Sequence, residues 1–348
     1  MGTHRECCNL YGDQCEGKAF SIIWKEAFFL KEFKTIDEQI QILVDRKLKI
    51  DDINKAKRYL LTQNYYNIIN GYANYFPRNG DQYAGGTSFD EISRLYVFER
   101  EVKQALLRAI LTVETHFTAI FAHRFAEANA NIPYAYLNIN CYDKEKAVEA
   151  ISTISRLAKK IEYYKKHKDS SIAHYVNQHH DVPIWVLANY LDFGELKYMF
   201  SKSTLSVQNA VAKDMMSFIQ DHLPASVLTI PFSPEVMHSF IENINDVRNI
   251  CAHNNRLLGF TCRRDSKYWE PLHAQYNIRS GMQRNTVYSV FLSLQCFLSK
   301  NEYGVVHNTI RKECNKLQNR METIDYNEIL AKLGFPKDWH KRTVKIKH

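Results

Sequence analysis

Glycine and proline are scarce in this chain, since its 348 residues include only 12 glycines and 8 prolines. Both residue types interrupt helices, so long periodic runs without them favour helices over sheets. Apolar residues make up 45% and charged residues 24%, as in ordinary globular proteins. No uninterrupted apolar run reaches the roughly 18 residues that a transmembrane helix needs. The sequence therefore predicts an all-α protein without a membrane span, forming one large or two modest domains.

Several helices and one loop can be predicted from local signals. Thr35 and Glu38 form a predicted capping box, and Asp51 and Asp52 are predicted to cap a second helix. Further helices are predicted at residues 205–222 and 305–321, and a loop at residues 77–86.

We also expect no secretory leader, because the N-terminus lacks a charged start followed by an apolar run and a small-residue cleavage site. We therefore expect a cytoplasmic protein whose eight cysteines are reduced thiols. His4, Cys7, Cys8 and Cys15 superficially suggest a metal cluster, but no second ligand pair at zinc-finger spacing follows. We predict no metal and no cofactor. Residues 1–30 are expected to be a poorly ordered lead-in.

The net charge of +8 is a mild excess that favours a polyanion partner, although an ordinary solvated surface explains it equally well. The most basic window ends a helix predicted over residues 143–168. Its candidate RNA-binding residues are Arg156, Lys159, Lys160, Lys165 and Lys166. Lysines near a helix C-terminus complement the helix dipole, whereas tyrosines within a basic run suit phosphate binding and base stacking. Both alternatives stay open.

Two further segments carry alternatives of the same kind. Residues 64–76 are dense in tyrosine and asparagine, which suits either an RNA-stacking surface or tyrosines packed on a helix with their hydroxyls at its edge. The longest periodic run, capped by Thr87 or Ser88, continues for about 35 residues as a bundle helix. Glu99 and Glu114 lie on or beside its apolar stripe. Either could orient an active-site arginine or serve as a paired structural carboxylate.

The most informative stretch spans residues 241–260. Ser233 and Pro234 predict where its helix begins, as a capping serine and a proline in the first turn. Apolar residues then recur at the spacing of one buried helical stripe: Val236, Phe240, Ile244, Val247 and Cys251. Four polar residues are predicted to lie off this stripe: Asn243, Asp246, Arg248 and Asn249.

Arg248 and His253 lie five positions apart near the end of this helix, a pairing that suits phosphate chemistry. RNA can be cleaved without metal because its 2′-hydroxyl attacks the adjacent phosphorus. Histidine transfers protons near neutrality, and arginine keeps its charge and fits phosphate oxygens. We assign proton transfer to His253, transition-state charge to Arg248 and positioning to Asn249. The spacing alone is weak, because Arg342 and His348 match it loosely in a tail without an apolar helix.

The string RNICAHNNRL at residues 248–257 resembles the R-N-x-x-x-H signature of HEPN-domain ribonucleases. The flanking sequence is similar to the Abi-like (AbiD/AbiF-type abortive infection) family. Five segments occur in family order, at residues 33–76, 86–114, 183–201, 248–257 and 333–339. One departure is Asn254, which stands where relatives often have a second histidine.

The resemblance implies a multi-helix bundle of HEPN type with an N-terminal helical extension. It places one all-helical region at 31–340, with an N-terminal part (31–182), a motif-bearing part (183–340) and then a basic tail (341–348). From its composition, the basic end of the chain at residues 337–348 is expected to be disordered unless RNA holds it. It implies a toxin-like phage-defence endoribonuclease acting as a homodimer, since one histidine supplies half of an acid/base pair. Asn254 and Arg256 join the predicted RNA-binding residues. A small structured RNA is a candidate regulatory partner, and a non-catalytic RNA-binding protein is the alternative.

Overall fold

A computed structural model describes residues 32–347 of the protein. The expected lead-in and the His4–Cys15 cluster lie outside this range. The helices of the described range are α1 (Ile36–Asp45), α2 (Ile53–Gln63), α3 (Phe89–Ala128), α4 (Ala147–Tyr164), α5 (Ser171–His179), α6 (Ile184–Leu187), α7 (Phe193–Lys202), α8 (Leu205–His222), α9 (Pro234–Ala252), α10 (Glu270–His273), α11 (Val287–Ser293), α12 (Lys300–Gln318), α13 (Tyr326–Lys332) and α14 (Trp339–Arg342). The predicted all-α multi-helix bundle is confirmed.

Helix α3 is the centre of the bundle and runs for 40 residues. Ser88 is its cap, in a capping box with Glu91, which decides between the two predicted cap residues. Helices α6, α8, α9 and α12 pack around it. By length and composition alone α3 is long and apolar enough to cross a membrane, but a core helix of a soluble protein passes the same test. One such helix does not contradict the expectation of a protein without a membrane span. The expectation counted uninterrupted runs, whereas this helix is apolar on average and buries its stripe in the bundle.

Local capping signals predicted several helix starts correctly. As predicted, Thr35 opens α1 through a capping box and Asp52 caps α2. Asp192 opens α7 through a capping box that was not predicted. Helix α8 has the predicted bounds, Leu205–His222. Helix α4 is shorter than predicted, because residues Lys144–Lys146 form a 3₁₀ turn and the helix ends at Tyr164. Helix α12 begins at Lys300 rather than at 305, because Ser299 and Glu302 form a capping box upstream of its apolar residues.

A small hairpin interrupts the helices within the loop predicted at residues 77–86. Strands β1 (Arg78–Asn79) and β2 (Gln82–Tyr83) pair antiparallel, with Arg78 opposite Tyr83 and Asn79 opposite Gln82. Gly80 adopts a φ of +60° at the first turn position, where a two-residue hairpin turn favours glycine. Just before the hairpin, Tyr66–Asn70 form a short π-helix that packs against α3.

The expected disorder of the basic tail was wrong. Trp339 is buried and its ring packs against Phe291, Phe335 and His307. Further along, the backbone of Ile346 exchanges two hydrogen bonds with one α12 side chain, at 2.8 and 3.0 Å. The composition of the segment did not predict this packing, because a single large aromatic residue anchors a stretch that is mostly charged.

Candidate functional site

Helix α9 carries the predicted motif, and its buried face is the predicted one. Ser233 caps it and Pro234 lies in its first turn. All five predicted stripe residues are buried, from Val236 to Cys251. Asn243 was wrongly placed off the stripe, since it is buried and its side-chain amide donates to the carbonyl of Arg264 at 3.1 Å. A buried amide is tolerated there because a backbone oxygen satisfies it.

The helix ends directly at the motif histidine. His253 is the C-cap residue (φ −87°, ψ 7°), and Asn254 follows in the left-handed conformation with a φ of +53°. The amide of Asn255 donates to the carbonyl of Ile250 at 3.0 Å, and that of Asn254 donates to Cys251 at 3.2 Å. This pattern is a Schellman motif, in which asparagine is the usual substitute for glycine. Asn254 therefore supplies the left-handed backbone conformation that ends the helix, and His253 lies at the point where the regular helix stops.

Lys103 on α3 holds the chain just beyond His253. Its buried ammonium donates to Oδ1 of Asn254 at 2.6 Å and to the carbonyl of Asn255 at 3.2 Å. It also lies 4.0 Å from the carboxylate of Glu99, one helical turn away. Sequence reasoning missed Lys103, because a lysine inside a helical stripe gives no signal for a contact 151 residues away.

Glu99 is fully buried and anchors the next two residues of the same segment. Its Oε1 accepts from the amides of Leu257 at 2.5 Å and Leu258 at 2.6 Å, and its Oε2 accepts from the hydroxyl of Tyr72. Burial raises the pKa of Glu99, while the backbone amides and Lys103 oppose that change. Of the two alternatives for Glu99, the structural role is the one that these contacts support.

Glu114, by contrast, does contact the motif arginine. The Nε of Arg248 donates to Oε1 of Glu114 at 3.0 Å, and the two side chains are 28% and 17% exposed. Burial raises the pKa of Glu114, and the guanidinium of Arg248 opposes that change. Within residues 32–347, the terminal nitrogens of Arg248 form no hydrogen bond. One end of the guanidinium is thus fixed while the other is available.

His253 and Asn249 complete the predicted trio. His253 is exposed, and its ring makes no hydrogen bond to any residue in the part of the chain that the structure describes. Asn249 is partly exposed, and its backbone carbonyl accepts from the amide of His253 at 3.0 Å. The helix end therefore presents a partly fixed cation and an accessible imidazole on one short segment. Such a pair can contact a phosphate and move a proton.

Two cavities adjoin the residues that contact this helix end. Glu114 lines a groove of about 600 Å³ along α3, whose far wall includes Trp185, a residue that is 57% exposed. Asn254 and Arg256 line a second pocket of about 290 Å³. Sequence reasoning missed Trp185, because an apolar residue in an apolar segment is normally assigned to the core.

The predicted basic residues lie on α4 and directly after its last residue, and α4 packs against α7. Arg156, Lys159 and Lys166 are exposed. Lys160 is held in place, since its ammonium donates to Glu195 at 2.5 Å and to a backbone carbonyl at 2.8 Å, and Lys165 pairs with a neighbouring glutamate at 2.5 Å. Among the described residues, none of these five hydrogen-bonds to the α9 motif. No hydrogen bond among the described residues thus joins the two predicted RNA-binding regions.

The family model described as Abi-like protein matches residues 58–259, more than half of the chain. The match includes the whole of α3 and α9 and the string at 248–257, whereas the segment at 333–339 lies beyond it. No curated protein and no solved structure matches the chain. The chain belongs to the Abi-like protein family, which points to a role in abortive infection as a phage defence.

Proposed function

We propose that this protein is a metal-independent endoribonuclease acting in phage defence, with its active site at the end of α9. The observation that carries the proposal is the state of the motif pair. The guanidinium of Arg248 is fixed at one nitrogen by Glu114, and the imidazole of His253 is exposed at the end of the same helix. If the pair were purely structural, both side chains would be expected to hydrogen-bond to other residues of the fold.

The roles follow from the chemistry of RNA cleavage. His253 transfers a proton, either from the attacking 2′-hydroxyl or to the leaving 5′-oxygen. Arg248 donates hydrogen bonds from its terminal nitrogens to the phosphate as negative charge develops. Asn249, one turn before His253, positions a phosphate oxygen. The products would carry 2′,3′-cyclic phosphate and 5′-hydroxyl ends.

A second copy of the chain completes this proposed site. One histidine can act as base or as acid in a single step, so a two-fold dimer that joins two motifs supplies both. Leu111 supports this arrangement, because it lies three residues before Glu114 on α3 and is exposed. A partner helix covering Leu111 would bury that apolar surface beside the Arg248–Glu114 pair. Sedimentation velocity should show a dimer at the concentrations used for cleavage, and a fully active monomer would exclude the composite site.

RNA binding beyond the site would use the exposed cations of α4 and of the residues directly after it. Arg156, Lys159 and Lys166 are exposed, and Tyr163 beside them is exposed as well. This surface suits the backbone and bases of a structured RNA, which is where a small regulatory RNA would bind. If the protein binds RNA but never cleaves it, the motif instead serves a non-catalytic RNA-binding protein.

Cleavage of end-labelled RNA in the presence of EDTA tests the proposal. Under single-turnover conditions His253→Ala and Arg248→Ala should each slow cleavage by about 100-fold or more. Two variants serve as controls: His179→Ala removes an exposed histidine on α5, and Arg124→Ala removes an arginine that is also 28% exposed and paired with a carboxylate. Equal rates for the motif variants and their controls would overturn the catalytic assignment.

A further inference from the structure

We infer that the pocket beyond the motif binds one unpaired nucleobase next to the cleaved phosphodiester and so determines sequence preference. This inference rests on the proposed ribonuclease site, because it places the base beside the phosphate that His253 and Arg248 would contact. Asn254 lines the pocket and directly follows His253. A base held there would be attached to a phosphate within reach of the motif.

The pocket is formed where the π-helix meets the segment that follows α9. Its volume of about 290 Å³ is at the lower end of the range for ligand sites, about 300–1,000 Å³, which suits one base rather than a longer stretch. Tyr66, Asn67 and Asn70 line one side, and Asn254 and Arg256 line the other. The segments are fixed to each other, because Nη1 of Arg256 donates to the carbonyl of Gly71 at 2.6 Å.

The π-helix explains why polar and aromatic side chains face solvent here. A π-turn widens the helix locally and occurs frequently at functional sites. Tyr66 is 69% exposed, although large aromatic residues are normally at least partly buried. Asn67 and Asn70 are also exposed, while Ile68 and Ile69 between them are buried and hold the turn in the core. The fold thus presents one ring and two amides to the pocket.

The side chains of the pocket suit a base as its occupant. The buried cation Lys103 is bound to the Asn254 side chain, whereas Arg256 uses one nitrogen on the carbonyl of Gly71 and keeps the others available. Asn67 and Asn70 add two exposed amides, and that of Asn67 also donates to the carbonyl of Gln63 at 3.3 Å. Side-chain amides pair with the edge of a base, and an exposed aromatic ring stacks on its face, which is how proteins read single-stranded RNA.

The experiment measures sequence preference and binding separately. Wild type, Tyr66→Ala and the double variant Asn67→Ala/Asn70→Ala are each incubated with a randomised RNA, and the cleaved ends are sequenced. Wild type should show a preference at one position next to the cut, which the double variant should reduce by about tenfold. In the His253→Ala background, Tyr66→Ala should weaken binding of a short single-stranded RNA by roughly 5- to 100-fold.

Two controls remove exposed side chains elsewhere, one apolar and one amide. Leu61→Ala removes a residue of α2 that is 71% exposed, and Asn177→Ala removes an exposed amide of α5. Neither control should change preference or affinity. Unchanged preference and affinity in the pocket variants would overturn the base pocket, even if cleavage by the motif is confirmed. Weaker binding with an unchanged preference would show a phosphate contact only and would also overturn it. Absence of cleavage by wild type would refute the ribonuclease, while the binding measurement would still test the pocket.

Discussion

Replacing Lys103 with methionine should destabilise the protein strongly, although Lys103 lies outside the string at residues 248–257. Its ammonium donates to Asn254 Oδ1 at 2.6 Å and, more weakly, to the carbonyls of Asn255 (3.2 Å) and Asn254 (3.4 Å). Methionine keeps the apolar stem but leaves these acceptors and the buried Glu99 carboxylate without their cation. Breaking a buried, hydrogen-bonded ion pair by removing one partner costs about 3–5 kcal/mol. The ion pair itself contributes the smaller part, because its 4.0 Å separation is long.

The assay is urea unfolding followed by tryptophan fluorescence, which gives the free energy of unfolding from the midpoint and slope. Lys197→Met is the matched control, since Lys197 is also buried but has a single ion pair at 3.8 Å, with Glu242. Adding Glu99→Gln to Lys103→Met should recover about 1–2 kcal/mol, because no buried charge is then stranded. Two results would refute this prediction. Lys103→Met could lower the free energy of unfolding no more than the control does, or Glu99→Gln could destabilise Lys103→Met as much as it destabilises the wild type.

Three further predictions concern the site, the tail and the basic helix. Arg248→Ala should raise the pKa of Glu114 further, because burial already raises it and the guanidinium opposes that change. A carboxyl whose pKa is raised by folding destabilises the protein as pH rises from the unfolded pKa of about 4.3 through the folded pKa, and this loss is larger in the variant. The free energy of unfolding of the wild type should therefore exceed that of the variant by an amount that grows from about pH 4 to 7. A constant advantage would contradict this. Trp339→Ala should cost about 3–5 kcal/mol in urea unfolding, and a cost under about 1 kcal/mol would mean that the tail does not pack as described. Lys159→Ala and Lys166→Ala should each reduce the salt dependence of RNA binding by about one unit of slope, as measured by fluorescence anisotropy, and unchanged slopes would remove α4 from the RNA surface.

What the sequence could predict was local. Ser233, Thr35 and Asp52 are caps because each side chain accepts from an amide a few residues ahead, which spacing alone reveals. The buried stripe of α9 could be predicted as well, because helical periodicity is also a matter of spacing along the chain. The predicted bounds of α8 match because polar caps flank a regular apolar pattern.

What the sequence could not predict depends on contacts between distant segments. The choice between Glu99 and Glu114 as the partner of Arg248 depends on how α3 and α9 align, which no local pattern encodes. In the sequence, Asn254 is a departure from the second histidine that relatives often have. In the structure, its left-handed backbone and its hydrogen bond from Lys103 give it a structural role. The pocket beside it needs residues from two segments far apart in sequence.

The most direct test of the central claim is the chemistry of the cleaved ends. Wild-type protein is incubated in EDTA with an RNA that it cuts at one position, and with the same RNA carrying a single 2′-deoxy nucleotide at that position. The account predicts 2′,3′-cyclic phosphate and 5′-hydroxyl ends by mass spectrometry, and no cleavage of the deoxy substrate. Products with 5′-phosphate ends, or equal cleavage of the deoxy substrate, would contradict 2′-hydroxyl attack at the site of Arg248 and His253.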